Sequence, residues 1–303
     1  MELTMESATR HKTSSGTSGR KPQIPFNLRL IQWAFPKFES VVPQAAHKWF
    51  VNLFFSPPKY PIPSQEKEIL QRANQFIVPI GQKEVVCYTW GEGPVILLVH
   101  GWAGRASQFK SFVDHFTTAG YRTISFDAPA HGLSKGKETT IIDFKDTILE
   151  LEKRMGKIHA VIGHSLGGAA SLYALSEGLN VNTLITIATP SIGDEIIQEF
   201  ASRLNASVRA QQFLKQAIQL RLNRTFDEFM ALHFIKKLPR EIDMLILHDE
   251  HDKEASLKNA KCLADAYPQA TYEMTSGLGH VRILRDKAIL DRCKGFIESP
   301  KKK

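Results

Sequence analysis

Apolar runs alternate with stretches of helical spacing along most of the chain. Eight runs are apolar throughout or alternate between apolar and polar positions, which predicts strands at residues 75–80, 84–90, 95–99, 121–126, 159–163, 184–188, 244–248 and 270–274. Between most of them the spacing predicts helices, at residues 106–119, 139–155, 166–177, 256–267 and 281–297. This order predicts an α/β fold with a mostly parallel central sheet and helices on both faces. The first two strands have no helix between them, so we expect them to form an antiparallel edge.

One long interval between consecutive strands breaks this alternation. Residues 191–243 are too many for a loop in a compact domain, and their apolar residues have helical spacing. We therefore expect a helical cap over 191–243, inserted into an α/β core formed by 64–190 and 244–299. Ligands of open parallel sheets bind beyond the carboxyl ends of the strands. The cap should therefore cover the site and contribute Phe229 and Met230 to substrate binding.

The segment before the first strand has a different character. Residues 1–23 are rich in Ser, Thr, Gly and basic residues, which predicts a disordered tail. Residues 24–63 predict an aromatic-rich helical extension, divided into short helices by Pro36 and Pro43, and a proline-rich linker over 56–63. These helices either bind a membrane surface or a partner, or pack on the body of the domain. We expect packing and no membrane association, because the aromatic residues are distributed around the helices rather than opposite a strongly basic face.

Composition narrows the class of protein. The chain has 303 residues, of which 43% are hydrophobic and 23% charged, as expected for one or two globular domains. Part of the net charge of +8 lies at the chain ends, so we do not expect nucleic-acid binding. No apolar run reaches the roughly 18 residues of a membrane span. Three cysteines at no motif spacing, and an N-terminus without the apolar core of a secretory signal, favour a cytoplasmic location.

The most informative stretch is Gly163-His164-Ser165-Leu166-Gly167, which lies between a predicted buried strand and a predicted helix. A serine in so sharp a turn adopts strained dihedral angles, and the flanking positions approach each other so closely that only small residues fit. The turn places the Ser165 hydroxyl at a helix N-terminus, where backbone N–H groups favour negative charge. Ser165 is therefore the predicted nucleophile, and a glycine-rich turn with an uninvolved serine is the alternative.

A serine hydroxyl needs a base that removes its proton and a third group that orients the base. His280 is the predicted base, because it lies in a glycine-rich loop directly after the last strand. The acid should follow the preceding strand, where Asp249, Glu250 and Asp252 are candidates. We favour Asp252, which lies in a turn that can project toward His280. Histidines beside these carboxylates could also indicate a metal site, but no second ligand cluster has zinc-type spacing, and we expect neither a metal nor a cofactor.

The negative oxygen that forms during acyl transfer needs N–H donors. The predicted donors are the Leu166 N–H at the start of the helix and the Trp102 N–H in the loop after the strand at 95–99. We expect the Trp102 indole to line the acyl pocket and His164, next to the nucleophile, to contact the substrate. His131 follows another strand end, and we expect it to bond the loop beneath the site rather than to act as a base.

These motifs occur along the chain in a recognisable order. They are His100-Gly101-Trp102, Asp127-Ala128-Pro129-Ala130-His131-Gly132-Leu133-Ser134, Gly163-His164-Ser165-Leu166-Gly167-Gly168, the Asp252 turn and Gly279-His280. By them the chain resembles the α/β-hydrolase superfamily over residues 75–297, in a bacterial-type carboxylesterase-like subgroup. The resemblance implies the α/β-hydrolase fold and a triad in the order Ser, Asp, His. The chain departs from the family pattern at Asp249, where the family often has glycine before the acid turn.

Together these features predict a serine hydrolase that cleaves small-molecule carboxylic esters, with small to medium acyl groups, through an acyl-enzyme. A thioesterase or a carbon–carbon bond hydrolase with the same triad is the alternative among enzymes. A non-catalytic binding protein is the alternative from another class, since a fold does not determine a function. The sequence does not predict an oligomeric state.

Overall fold

The computed structural model of the protein describes residues 26–299, and the predicted disordered tail over 1–23 lies outside the described residues. Within that range a single sheet contains eight strands, which are β1 (Asn74–Ile80), β2 (Lys83–Trp90), β3 (Val95–Val99), β4 (Arg122–Asp127), β5 (Ile158–His164), β6 (Thr183–Ile187), β7 (Asp243–Asp249) and β8 (Thr271–Thr275). The strand order in the sheet is β1-β2-β4-β3-β5-β6-β7-β8. β2 is antiparallel to both of its neighbours, and the other neighbouring strands are parallel. The predicted antiparallel edge and the mostly parallel sheet are therefore confirmed.

Helices cover both faces of this sheet, because parallel neighbours need crossover connections. Across residues 26–299 they are α1 (Phe26–Val41), α2 (Pro43–Phe55), α3 (Ser64–Gln71), α4 (Lys110–Thr118), α5 (Ile141–Met155), α6 (Leu166–Ser176), α7 (Gly193–Leu204), α8 (Val208–Leu222), α9 (Ala231–Ile235), α10 (Leu257–Ala266), α11 (Gly279–Arg282) and α12 (Lys287–Glu298). Short 3₁₀ turns lie at Ala106–Phe109, Phe226–Phe229 and Ile283–Arg285. None of these helices combines the length and the apolar character that crossing a bilayer requires.

Two apolar cores lie on opposite faces of the sheet. On one face the cluster includes Phe144 of α5, Leu172 of α6 and Phe234 of α9. On the other face it includes Phe112 of α4 and Cys293 of α12. The strands β3 and β6 between them are wholly buried because both of their faces are covered, and β3 is accordingly apolar throughout.

A third cluster joins the N-terminal helices α1 and α2 to the cap helices α7 and α8, and we call these four helices the helical layer. Its buried side chains are Phe35, Ala46, Phe50, Phe55, Ile197, Ala201, Leu204, Ala210, Leu214 and Ile218. Aromatic rings cross the boundary, with the centroids of Phe50 and Phe200 4.9 Å apart. The structure therefore has the predicted helical cap insertion and N-terminal helical extension, and the extension packs on the cap.

Two predicted helix boundaries were wrong. Pro36 lies inside α1 rather than ending it. Proline cannot donate to the Gln32 carbonyl one turn earlier, and the side-chain amide of Asn205 in the cap donates to that carbonyl at 3.2 Å instead. The single helix expected over 281–297 is broken at Asp286, whose carboxylate accepts hydrogen bonds from the first turn of α12 and so begins a new helix.

The strand ends that carry the candidate site residues lie along one edge of the sheet, which we call the carboxyl edge. The register pairs Val99 with Gly163 and Asp249 with Thr275. The loops that follow β3, β5, β7 and β8 therefore leave the sheet on the same side. Those four loops contain the predicted donors, nucleophile, acid and base.

Candidate active site

Ser165 lies at the sharp turn between β5 and α6, with φ 52° and ψ −123°. This region of dihedral space is strained for a residue with a side chain. A Cβ atom on Gly163 would lie 2.6 Å from the Gly168 Cα, and one on Gly167 would overlap the Val99 carbonyl oxygen. The predicted need for small residues on both sides of the serine is thus met, and the turn projects Ser165 from the carboxyl edge.

His280 is paired with Asp252. The Nδ1 atom of His280 lies 2.7 Å from Oδ2 of Asp252, whose side chain is fully buried. The other carboxylate oxygen, Oδ1, accepts hydrogen bonds from the backbone N–H groups of Glu254 and Ala255, at 2.8 and 3.0 Å. Burial raises the pKa of Asp252, but the hydrogen bond and charge of His280 together with these N–H groups keep the pKa below its usual value. Asp252 is therefore ionised at neutral pH.

The rival carboxylate, Asp249, has a different set of partners. Its Oδ2 accepts hydrogen bonds from the Thr275 hydroxyl at 2.8 Å and the Leu278 N–H at 2.9 Å, and its Oδ1 accepts one from the His251 N–H at 3.0 Å. Burial raises the pKa of Asp249, whereas backbone N–H groups, with Gly279 and Leu278 foremost, lower it to below its usual value. Asp249 thus holds the loop that carries His280.

The imidazole of His280 packs against the residue before the serine. The ring centroids of His164 and His280 are 4.7 Å apart, and Nε2 of His164 donates to the His280 carbonyl at 2.8 Å. Burial, and the nearby His280, lower the pKa of His164 to about 3, so the ring is neutral. Among residues 26–299, no hydrogen bond joins Ser165 to His280. With Nδ1 paired to Asp252, Nε2 is the His280 nitrogen left for a proton transfer.

The loop after β3 passes directly over the serine. A Cβ atom on Gly101 would lie 2.8 Å from the Ser165 Cβ and 3.3 Å from its Oγ. The backbone N–H of Trp102 follows at once, and the Trp102 indole is exposed. Leu166 is the first residue of α6, where an N–H group has no carbonyl of a preceding turn to bond. Both predicted donors are therefore in segments that adjoin the hydroxyl.

Two buried histidines support this loop. His131 Nε2 accepts from the Ala103 N–H at 3.1 Å, and its Nδ1 bonds the Pro129 carbonyl at 3.1 Å. His100 Nδ1 bonds the Gly101 carbonyl at 2.7 Å. Burial lowers the pKa of His131 to about 3 and that of His100 to about 4, so both rings are neutral. A neutral ring can accept a hydrogen bond at one nitrogen while donating at the other. His131 therefore bonds the loop beneath the site, as we expected from the sequence.

The residues predicted to contact the substrate differ in their exposure. Trp102 is exposed beside the serine, but His164 is buried against His280. Phe229 and Met230 are 2% and 7% exposed and belong to the apolar core that faces α6 and α9. Because little of these three side chains is open to a ligand, their role in substrate binding stays a prediction.

Sequence reasoning gave two buried groups behind the site no supporting role, considering His248 only as a possible metal ligand and Glu66 not at all. His248 is fully buried at the end of β7, with Nε2 2.9 Å from the Ala255 carbonyl and 3.6 Å from Oδ2 of Asp252. Glu66 of α3 accepts from Arg105 Nε at 2.6 Å and from the Ser107 hydroxyl at 2.8 Å, directly after the Trp102 loop. The signal for His248 was its spacing of four residues from Asp252, whereas Glu66 lies 39 residues from its partner Arg105 and carries no local signal.

In the described part of the chain, no group of three or more His, Cys, Asp or Glu could hold a metal ion.

Known proteins resemble the part of the chain that contains this site. A family model described as the alpha/beta hydrolase fold matches residues 94–287. The chain is 35% identical over 85 residues to a magnesium-chelatase 30 kDa subunit from Rhodobacter capsulatus, which is 27% of this chain and 30% of that protein. It is 30% identical over 102 residues to a pimeloyl-(acyl-carrier protein) methyl ester esterase from Aliivibrio salmonicida, which is 33% of this chain and 38% of that protein. The chain thus spans well under half the length of these curated relatives.

Solved structures share the fold over a longer range. An esterase from Pyrococcus furiosus superposes with a TM-score of 0.62 and 18% sequence identity, over 80% of this chain and 98% of that chain. At this identity the likeness shows the fold alone. The family model, however, covers more than half of the chain and includes the Trp102 loop, the Ser165 turn, Asp252 and His280. The protein therefore belongs to the α/β hydrolase fold family.

Proposed function

We propose that the protein is a serine hydrolase that cleaves carboxylic esters with small to medium acyl groups. The observation that carries this proposal is the buried pair of Asp252 and His280, 2.7 Å apart, at the edge of the sheet from which the strained Ser165 projects. A curated relative over part of the chain is named as a methyl ester esterase, which supports an ester as the substrate.

The proposed reaction begins with the proton of Ser165. Asp252 bonds Nδ1 of His280, which leaves the lone pair on Nε2 free to take the hydroxyl proton. The Ser165 oxygen then attacks the acyl carbon of the ester, and the resulting imidazolium is stabilised by the ionised Asp252. An ionised acid in a fully buried position is suited to this role, because its interaction with the imidazolium is little screened by water.

The proposed oxyanion donors are the N–H groups of Trp102 and Leu166. The close approach of Gly101 to Ser165 supports this assignment, since it brings the following N–H group to the face of the serine. The tetrahedral intermediate collapses when His280 returns its proton to the leaving alkoxide. A water molecule, deprotonated by the same histidine, then hydrolyses the acyl-enzyme and regenerates Ser165.

The test is labelling with a fluorophosphonate, together with hydrolysis of chromogenic esters and thioesters of graded acyl length. We expect rapid labelling at Ser165, and we expect Ser165→Ala to lose labelling and about 10⁴-fold or more of kcat. The matched control is Ser176→Ala, at the other end of α6, where the hydroxyl bonds only within its own helix. It should leave both readouts unchanged.

Each contrary outcome identifies an alternative. A folded wild-type protein that neither labels nor hydrolyses any substrate would indicate the non-catalytic binding protein. Faster turnover of thioesters than of the matching esters would indicate a thioesterase. Full ester hydrolysis by Ser165→Ala would contradict the assignment of the nucleophile.

A further inference from the structure

Helix α1 exposes an unusual number of large apolar side chains. They are Leu30, Trp33, Phe38 and Val41 of the helix and Val42 just past its end, and we call them the apolar stripe. Leu30, Trp33 and Val41 follow one face of the helix together with Lys37, at a spacing of three or four residues. Trp33 is 62% exposed and Val41 is 79% exposed. Single exposed apolar residues are ordinary on protein surfaces, but a contiguous stripe marks a surface that binds something.

Most of the stripe is not required for the packing of α1. The helix buries another side through Phe35, which is fully inaccessible and packs against Trp49 and Phe50 with centroid distances of 5.7 Å. Burial of that side accounts for the attachment of α1 to the helical layer. Within the stripe Phe38 also packs on Trp49, with ring centroids 6.1 Å apart, whereas Leu30, Trp33 and Val41 are each more than half exposed after α1 has packed.

The charges in the sequence that leads into α1 and runs along it to residue 38 have one sign. Between residues 10 and 38 the sequence has six basic residues and no acidic one, the six being Arg10, Lys12, Arg20, Lys21, Arg29 and Lys37. Lys37 lies within the stripe, with its Nζ 3.5 Å from the centroid of the Trp33 ring. The next carboxylate, Glu39, is hydrogen-bonded to His47 and Ser207 and faces the helical layer.

We propose that the apolar stripe docks the protein onto an anionic lipid surface, with α1 lying in the plane of the interface. Tryptophan and lysine together suit the headgroup region, since the indole has a polar edge and the lysine stem can lie along apolar surface while its ammonium reaches phosphates. A basic segment before the helix adds attraction to anionic headgroups. At 16 residues α1 is about 24 Å long, which fits an interfacial helix and not a span. The proposal replaces the sequence-based expectation of no membrane association, because Leu30, Trp33 and Val41 are exposed even though α1 packs on the helical layer. It goes beyond the proposed hydrolase activity and does not depend on it.

The experiment is sedimentation of the full chain with vesicles. One set of vesicles is phosphatidylcholine, and the other contains phosphatidylglycerol at about one third of the lipid. We expect binding to the anionic vesicles, weak binding to the zwitterionic ones, and loss of much of the binding at about 1 M salt, where the Debye length falls to about 3 Å. Leu30→Ser/Val41→Ser should lower the partition coefficient about tenfold or more, because two apolar contacts are lost.

The matched control is Val208→Ser/Leu220→Ser, which makes the same two changes at exposed positions of the cap helix α8. It should bind vesicles like the wild type. Both double variants should keep wild-type thermal unfolding and fluorophosphonate labelling, so a failure of docking is separable from a failure of the hydrolase proposal.

Fluorescence gives a second, site-resolved measurement. Vesicles with brominated acyl chains should quench part of the tryptophan emission in the wild type, and Trp33→Phe should remove that quenching while vesicle binding persists. Absence of binding to anionic vesicles, or equal binding by the stripe variant, would overturn the proposal. So would a wild-type dimer that Leu30→Ser/Val41→Ser converts to a monomer, since the stripe would then be a contact between copies. Protection of Trp33 from aqueous quenchers, lost when residues 1–25 are removed, would instead mean that the chain's own N-terminal segment covers the stripe.

Discussion

At the carboxyl edge, polar side chains are held by hydrogen bonds to backbone atoms, whereas the core of the helical layer is formed by aromatic and aliphatic packing, with hydrogen bonds such as that from Ser207 to Glu39 only at its exposed margin. Asp252 accepts two backbone N–H groups besides His280, and Asp249 accepts several in the adjoining loop. In the helical layer, by contrast, α1 and α2 meet the cap through rings such as Phe50 and Phe200. Hydrogen bonds fix atoms to within a narrow range of distance and angle, but apolar contacts tolerate sliding and repacking.

This difference suits the two regions to the two different tasks that we propose for them. Proton transfer needs atoms within hydrogen-bond reach, and the carboxyl edge supplies such positions for His280 and Asp252. Docking on a fluid surface needs only an exposed apolar area and charge of the right sign, and α1 supplies both. The following predictions test whether the two regions respond as differently as their contacts suggest.

The largest effect is expected from Asp252→Asn. The amide cannot hold His280 in the tautomer that leaves Nε2 unprotonated, so kcat for ester hydrolysis should fall about 10³- to 10⁴-fold. The control is Asp265→Asn on the exposed side of α10, which should keep full activity. Steady-state kinetics with a chromogenic ester would measure both. Retention of more than a tenth of the activity by Asp252→Asn would mean that the carboxyl edge does not position the base in this way.

The next effect, about 3 kcal/mol per pH unit for three histidines together, is expected from acid. Burial holds the pKa of His100 near 4 and those of His131 and His164 near 3, far below the usual value of about 6.5. Between pH 6.5 and about 4 the unfolded chain therefore binds protons that the folded chain does not. The free energy of unfolding should therefore decrease as the pH is lowered through this window, by roughly 1 kcal/mol per pH unit for each histidine.

Urea unfolding at a series of pH values measures this slope. His131→Phe should make the slope of the free energy of unfolding against pH shallower by roughly 1 kcal/mol per pH unit, the contribution of one proton, since the phenyl ring does not titrate. Phe50→Ala in the helical layer should lower stability by about 3–5 kcal/mol at every pH and leave the slope as it is. A pH slope that is the same in His131→Phe as in the wild type would place the acid sensitivity elsewhere.

The smallest effect is expected from a single methyl group. Gly163→Ala would bring a Cβ to 2.6 Å from the Gly168 Cα, and the backbone there cannot move without disturbing the turn. We expect a loss of about 1–3 kcal/mol in the free energy of unfolding. The same substitution at Gly295 in α12 meets no atom within 4 Å and should be neutral or stabilising by up to about 1 kcal/mol. Equal behaviour of the two variants would show that the turn has room to spare.

Much of the fold followed from local patterns. Buried apolar runs predicted the eight strands, the missing helix between the first two predicted the antiparallel edge, and the long interval predicted the cap. The turn at Ser165 was predictable because its cause is local, with a strand, a helix and small residues adjacent in the chain. Pro36 misled the prediction, since the partner that satisfies the Gln32 carbonyl lies in the cap, at Asn205.

The sequence by itself determined the order of strands and helices and the identity of the strand-end motifs, because these depend on residues close together in the chain. Tertiary structure alone decided between Asp249 and Asp252, since the two are three residues apart and only the direction of the turn selects which one meets His280. It also brought His248 beneath Asp252 and Glu66 beneath the Trp102 loop, and it turned one side of α1 to the cap and the other to solvent. These outcomes depend on contacts between distant segments, and no local pattern of apolar and polar residues specifies such contacts.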